Sequence, residues 1–191
     1  MTHKDLGVRA LWERVNACLD AHAHRSPVRR ASADAGRRGA VEALLEASMP
    51  ADLHEWWSLA DVSADFWIPG DGDEFAPVDL DEAMETWEIW LQVADEEGLP
   101  TVDENGEVEP RFQPEYLPFA QSPGGDGLII DLRSGTSYGA VFVWDHEQWG
   151  LGEPLWASIS AMLQDVAVTL ERGAGDNAEP RQGVWMVEKP A

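Results

Sequence analysis

Two stretches of this chain, Gly127 to Leu132 (GLIIDL) and Gly139 to Asp145 (GAVFVWD), are apolar at almost every position, and this limits the possible folds severely. Successive side chains of an extended strand point to opposite faces. Leu128, Ile130 and Leu132 therefore share one face, with Ile129 on the other beside Asp131, while Val141 and Val143 alternate with Ala140, Phe142 and Trp144. A strand with one solvated face would carry a polar residue at every second position, whereas strands apolar on both faces are central and covered on both sides. The middle of this molecule is therefore expected to be a core sheet, flanked by acidic, glycine-bearing turns and lying within Tyr116 to Glu147.

Such a sheet needs covering helices, and the periodicity supplies them. Val8, Leu11, Trp12, Val15, Cys18, Leu19 and His22 fall on one side of a helical wheel, with Arg9, Glu13 and Asn16 opposite, so the N-terminus reads as an amphipathic helix packed on the core. The polar, basic stretch from His24 to Arg38 breaks the pattern with Pro27 and Gly36 and reads as a mobile connection. Helix signal returns at Ala40 to Ala47. Pro50 then stands where a first helical residue is tolerated, ahead of Leu53, Trp56 and Trp57. Asp79 or Asp81 can cap a further helix running to about Glu97, with Ala83, Met84, Trp87, Trp90, Leu91 and Ala94 inward and Glu82, Glu85, Glu88, Asp95 and Glu96 outward. Ile89 falls on that acidic face, as a stray aliphatic or a contact for a partner. Trp156, Ile159, Met162, Leu163, Val166 and Leu170 define a last helix that stops at Gly173.

Between these lie short extended pieces at Asp65 to Pro69 and Phe75 to Leu80, joined by the acidic turn GDGDEF. Gly98 to Pro114 reads as a turn-rich loop or small acidic hairpin, and Val184 to Val187 as an edge strand or a frayed end. A chain of 191 residues suits one domain. The expected division is an N-terminal helix and basic connection over 1–38, a core domain over 39–173 and a tail over 174–191.

The charge is segregated. Residues 1 to 38 hold eight basic and four acidic groups, and the remaining residues hold five basic against thirty-two acidic, close to −27. A field of this size repels nucleic acid and anionic membranes and speeds encounter with basic partners, although it serves equally as a solubility feature. No apolar run approaches the roughly 18 residues of a membrane span, and charges interrupt the start, so the expectation is a soluble cytoplasmic protein without membrane contact. Cys18 is the only cysteine, which excludes an internal disulfide and a cysteine-based zinc site.

Catalytic and metal-binding patterns are weak. In WDHE, Asp145, His146 and Glu147 suggest a metal site, but strand neighbours point to opposite faces and no second histidine stands at ligand spacing, so His146 reads as a hydrogen-bonded strand-end residue. SPGGDG lacks the lysine and the following helix of a phosphate loop, and GDGDEF does not complete a calcium loop. No serine stands in a Gly-x-Ser-x-Gly elbow, and Cys18 lies on an inward helix face. The expectation is a protein without catalytic residues, metal or cofactor.

The order of MPADLHEWWSL, YLPFA, GGDGLIIDL and GAVFVWDHE, closed by the helix at Trp156 to Leu170, resembles the SUKH superfamily, which includes fungal cell-wall-assembly regulators and bacterial toxin-immunity proteins. The likeness covers roughly residues 40 to 172. Leu117, Pro118, Gly125, Asp126, Asp131, Gly139, Val141 and Asp145 match its pattern. SLADVSADF departs from it, standing where the family usually places an Asn-Gly pair. The resemblance implies an α+β fold, a mainly antiparallel central sheet flanked by helices, with no catalytic centre.

It also implies a protein-binding role. Bacterial members neutralise cognate toxins, often nucleases, by binding them, and a strongly acidic domain suits a basic toxin cleft. The alternatives are a regulatory or scaffold protein that binds a cellular partner without a toxin, or a peptide- or small-molecule-binding domain with a Trp-rich groove. The surface expected to meet the partner comprises Asp71, Asp73, Glu74, Asp81, Glu85 and Glu88, with Ile89 and the exposed edges of Trp67 and Trp90. Oligomeric state stays open.

Overall fold

The computed structural model describes residues 6–21, 32–59, 66–70, 73–96, 111–148 and 150–173. Its centre is the doubly apolar hairpin, β4 (Gly127–Asp131) and β5 (Val141–Asp145), paired antiparallel with Leu128 opposite Val143 and Ile130 opposite Val141. On the other side of β4 lies β3 (Tyr116–Gln121), followed outward by β2 (Glu74–Pro77) and β1 (Ile68–Pro69); β6 (Gly150–Leu151) borders β5. Every neighbour is antiparallel and the strands stand in chain order, so this part of the fold is a six-stranded meander. Among the described residues both edges are two-residue strands, and one of them carries Pro69, so these edges offer little free ladder for another chain to extend.

Proline is unusual inside a sheet because it lacks an N–H. Pro118 stands in β3 where the register with β4 shifts between Pro118 and Ala120, and a bulge is one of the few places where a strand proline is tolerated.

Among the described residues five helices accompany the sheet: α1 (Val8–Ala21), α2 (Ala35–Leu45), α3 (Ala51–Trp57), α4 (Leu80–Glu96) and α5 (Ile159–Gly173). Helix α4 covers the sheet face that carries Gly127, Ile129 and Asp131. Trp90 lies against Gly127, where a Cβ would overlap its ring, and Phe112 makes edge contacts with both Trp90 and Trp144 at centroid distances of 5.2 and 5.3 Å. The Trp87 indole N–H donates to the Pro114 carbonyl at 2.9 Å. Leu117, Leu128, Ile130 and Val141, on the opposite face, are also fully buried, and they share one core with the apolar residues of α1, α3 and α5.

Helices α1, α3 and α5 pack on one another. Their polar ties are between elements distant in sequence. Glu55 of α3 accepts the first α1 amide, that of Val8, at 3.0 Å, which caps an N-terminus that has no carboxylate of its own. Asp52 of α3 accepts the Ser160 amide at 3.0 Å at the start of α5, and Arg14 of α1 is bidentate on Glu171 of α5 at 2.8 and 2.9 Å.

Three details differ from the sequence reading. Asn16 is buried although it was placed opposite the apolar stripe; it adjoins Trp12 on the wheel, and contact with both α3 and α5 widens the covered sector. Helix α2 begins at Ala35 within the stretch read as connection, because Asp34 accepts the Arg37 amide at 2.8 Å as N-cap. Trp156 precedes the last helix and makes a β-bridge to Val141 instead of extending the helical stripe, and its indole N–H reaches Asp165 at 3.1 Å. The readings at 97–110 and 184–187 lie outside the described residues.

Two expectations follow. Gly127→Ala forces a Cβ into the Trp90 ring and should destabilise the domain by about 1–3 kcal/mol in urea titration, with the loss reduced when Trp90→Ala is present as well. Glu42 Oε1 accepts the Met49 amide at 2.7 Å and faces His54 Nε2 at 3.1 Å. The backbone donor first, and His54 less, hold the Glu42 carboxyl below the usual carboxylate range. That stabilisation is therefore present above the unfolded carboxyl pKa and lost as pH falls through the folded value. Glu42→Gln should lower stability by about 1 kcal/mol at pH 7, with the difference from the parent fading on acidification in melts recorded across pH.

Candidate protein-binding surface

The expected site residues fall into three places. Asp126, Asp145 and His146 meet at one end of the sheet, because the β3–β4 turn lies beside the end of β5, with Gly127 opposite Trp144. Gly125 occupies a left-handed conformation at φ 103°, and a side chain there would come within 3.1 Å of the His146 ring. This turn therefore needs glycine on two counts. Asp126 Oδ1 accepts both the His146 amide at 3.1 Å and Nδ1 at 2.7 Å. Asp145 Oδ1 accepts the Glu147 and Gln148 amides at 2.9 and 2.8 Å.

The ligand-type atoms of these three residues lie within 4.8 Å of one another, close enough for a cation to be considered. Four N–H donors converge on one oxygen of each carboxylate, Asp126 Oδ1 and Asp145 Oδ1, and so tie the turns to the end of the strand. Asp73 stands nearby: a side chain on Gly124 would lie 3.7 Å from its carboxylate. Its neighbour Glu74 is half-buried, and burial, then the Asp73 charge, raises its pKa. Asp71 lies outside the described residues.

The second group is structural. Asp131 is fully buried, yet its carboxylate is saturated by Arg133: the amide and Nε each donate to Oδ1 at 2.9 Å, and Nη2 donates to Oδ2 at 2.7 Å. The guanidinium carbon also lies 4.8 Å from the Tyr116 ring centroid, and the bond to Asp131 raises the Arg133 pKa. Gly139, at φ 83°, ends the intervening loop, and a side chain there would meet Pro50 at 3.2 Å. It thus lets the β4–β5 connection approach the start of α3. Leu117 and Val141 are core residues on the face away from α4.

The third group lies on α4. Asp79 and Glu82 form a capping box at its start: Asp79 Oδ1 accepts the Asp81 and Glu82 amides, and Glu82 Oε2 accepts the Asp79 amide, all at 3.0 Å. The helix carries six carboxylates and neither lysine nor arginine. Asp81 is paired with Arg37 Nη2 of α2 at 2.6 Å, whereas Glu85 and Glu88 are exposed and engage no other described residue. Ile89 is 58% exposed among them, as its place on the wheel required. Trp67 and Trp90, expected to show exposed edges, are half-buried, and Trp90 is turned into the Gly127 and Phe112 contact that holds α4 to the sheet.

Two residues escaped the sequence reading. Val93, one turn beyond Ile89, is 36% exposed and extends the apolar strip; its i+4 spacing from Ile89 was the available signal. The Arg133 clamp on Asp131 was also missed, since an arginine two residues after a strand-end aspartate is unremarkable as sequence.

A meander sheet buried on both faces and covered by helices, with Gly-Asp turns at one end and an acidic helix outside, defines an α+β domain. Residues 39–165 match the model of the SMI1 / KNR4 family (SUKH-1), and the chain belongs to that family. Family membership is consistent with an immunity or regulatory role exercised by binding partner proteins. No curated protein matches the chain. Among the described residues no helix is long and apolar enough to cross a membrane.

Arg133→Ala leaves the Asp131 carboxylate buried without its main partner. The expected cost is about 2–4 kcal/mol in chemical denaturation, discounted because the guanidinium is half-exposed; Arg133→Lys should recover only part of it.

Proposed function

We propose that this protein is an immunity protein, a non-catalytic domain that acts in the cytoplasm and neutralises a cognate toxin by binding it. Family membership supports a protein-binding role, and one observation gives the partner its sign: α4 offers an exposed face with no basic residue, on which Glu85 and Glu88 have no cationic partner among the described residues. Free carboxylates that are not used for folding remain available to a basic surface. A nuclease toxin has such a surface wherever it grips phosphate, so an acidic domain finds it quickly and occludes it.

The test is co-expression in a bacterial host with the effector domain of a toxin encoded immediately upstream. Restored growth and a stable complex on size exclusion are expected, and the association rate should fall as NaCl is raised from about 0.05 to 0.5 M. Persistent killing in the presence of folded protein, with no complex formed, refutes the immunity reading. A complex indifferent to salt refutes the electrostatic part of it. Specific binding of a non-toxic host protein without toxin protection would instead support the regulatory reading.

A further inference from the structure

We propose that the Ile89–Val93 strip of α4 is the docking site for a basic amphipathic helix of the partner protein. The inference rests on the reading of this protein as a binder of a basic protein and specifies the segment that it takes.

Ile89 and Val93 are i and i+4 on one helix, so they form a ridge of the kind that enters the groove of a second helix. Around that ridge α4 carries only acidic and neutral side chains: Glu82 and Glu85 lie on the N-terminal side, Glu88 adjoins it, and Glu96 lies one turn beyond. All four are exposed. An apolar centre within a charged rim is the anatomy of a protein-protein contact, in which the centre holds the partner and the rim sets its sign.

The charge selects the occupant. A second copy of this chain would set one acidic face against another, and a two-fold contact requires a self-complementary patch. An anionic membrane or a nucleic acid would be repelled. A helix with Leu or Ile at i and i+4 and Lys or Arg on its flanks satisfies both the ridge and the rim. Immobility of the platform favours the same reading. The inner side of α4 is fixed by Trp87 on the Pro114 carbonyl and by Trp90 on Gly127, so the outer side is presented as a rigid surface.

The experiment uses the full chain and, as probe, a fluorescently labelled synthetic peptide of about five helical turns, with leucines at i and i+4 and lysines between them. Its control is a scramble of identical composition and charge. Fluorescence anisotropy should show at least about tenfold weaker binding of the scramble, and about tenfold loss with Ile89→Asp/Val93→Asp or with Glu85→Lys/Glu88→Lys. Ile89→Leu should bind as the parent does. Because the replaced side chains are exposed, the variants should retain the parent melting temperature, measured alongside.

Equal binding of peptide and scramble, or no effect of the aspartate pair in a folded variant, overturns the proposal. So does a parent dimer in sedimentation that Ile89→Asp dissolves, which would assign the strip to a second copy. The toxin experiment separates the two levels. If the aspartate pair leaves toxin affinity unchanged, this docking site falls while the immunity reading stands. If the ordered peptide binds as expected but no toxin is neutralised, the docking site stands and the immunity reading falls.

Discussion

Because β4 and β5 are apolar on both faces, neither side of the sheet centre can be left to water, and the placing of every other element follows from that requirement. Full burial of a Leu, Ile or Val is worth about 1.5–3 kcal/mol, and the central strands supply many such side chains, among them Leu128, Ile129, Ile130 and Val141. An exposed ion pair such as Arg37–Asp81 contributes about 0–1 kcal/mol. Layer packing therefore decides the fold, and surface charge is free to serve another purpose. A close fit, Trp90 over Gly127, attaches α4 to the sheet because glycine leaves room for the indole.

The polar residues of the family pattern finish the sheet. Asp126 joins the β3–β4 turn to the His146 ring, Asp145 closes the chain after β5, and Asp131 is neutralised by Arg133. Gly125 and Gly139 provide left-handed backbone where the chain crowds His146 and Pro50. Each of these groups has a partner inside the fold, which is a sufficient physical reason for its presence. The side chains left over for a ligand are of a different kind: Glu85 and Glu88 engage nothing else described, and Ile89 and Val93 are apolar yet exposed.

This separation bears on how such a domain can vary. A partner-binding strip on the outer side of one helix can change sequence without disturbing the inner side, since outward residues take no part in the core. Membership of the SMI1 / KNR4 family (SUKH-1) accounts for the scaffold, and the acidic character of α4 is written in its six carboxylates.

Sequence alone determined the core sheet, the amphipathic helices and the exposure of Ile89, because strand alternation and helical periodicity are local and each residue's facing follows from its spacing. Composition likewise determined the excess of negative charge. Tertiary structure decided what spacing cannot encode. Asn16 became buried because two helices meet α1, Trp156 left the last helix to bridge Val141, and the half-buried Trp90 packed over Gly127. It also dispersed the expected contact residues, tying Asp81 to Arg37 and half-burying Glu74, and it showed Val93 beside Ile89. The physical reason is common to all of these. Which of several inward-facing or charged side chains finds a partner depends on residues tens of positions away, and only the packed chain brings them together.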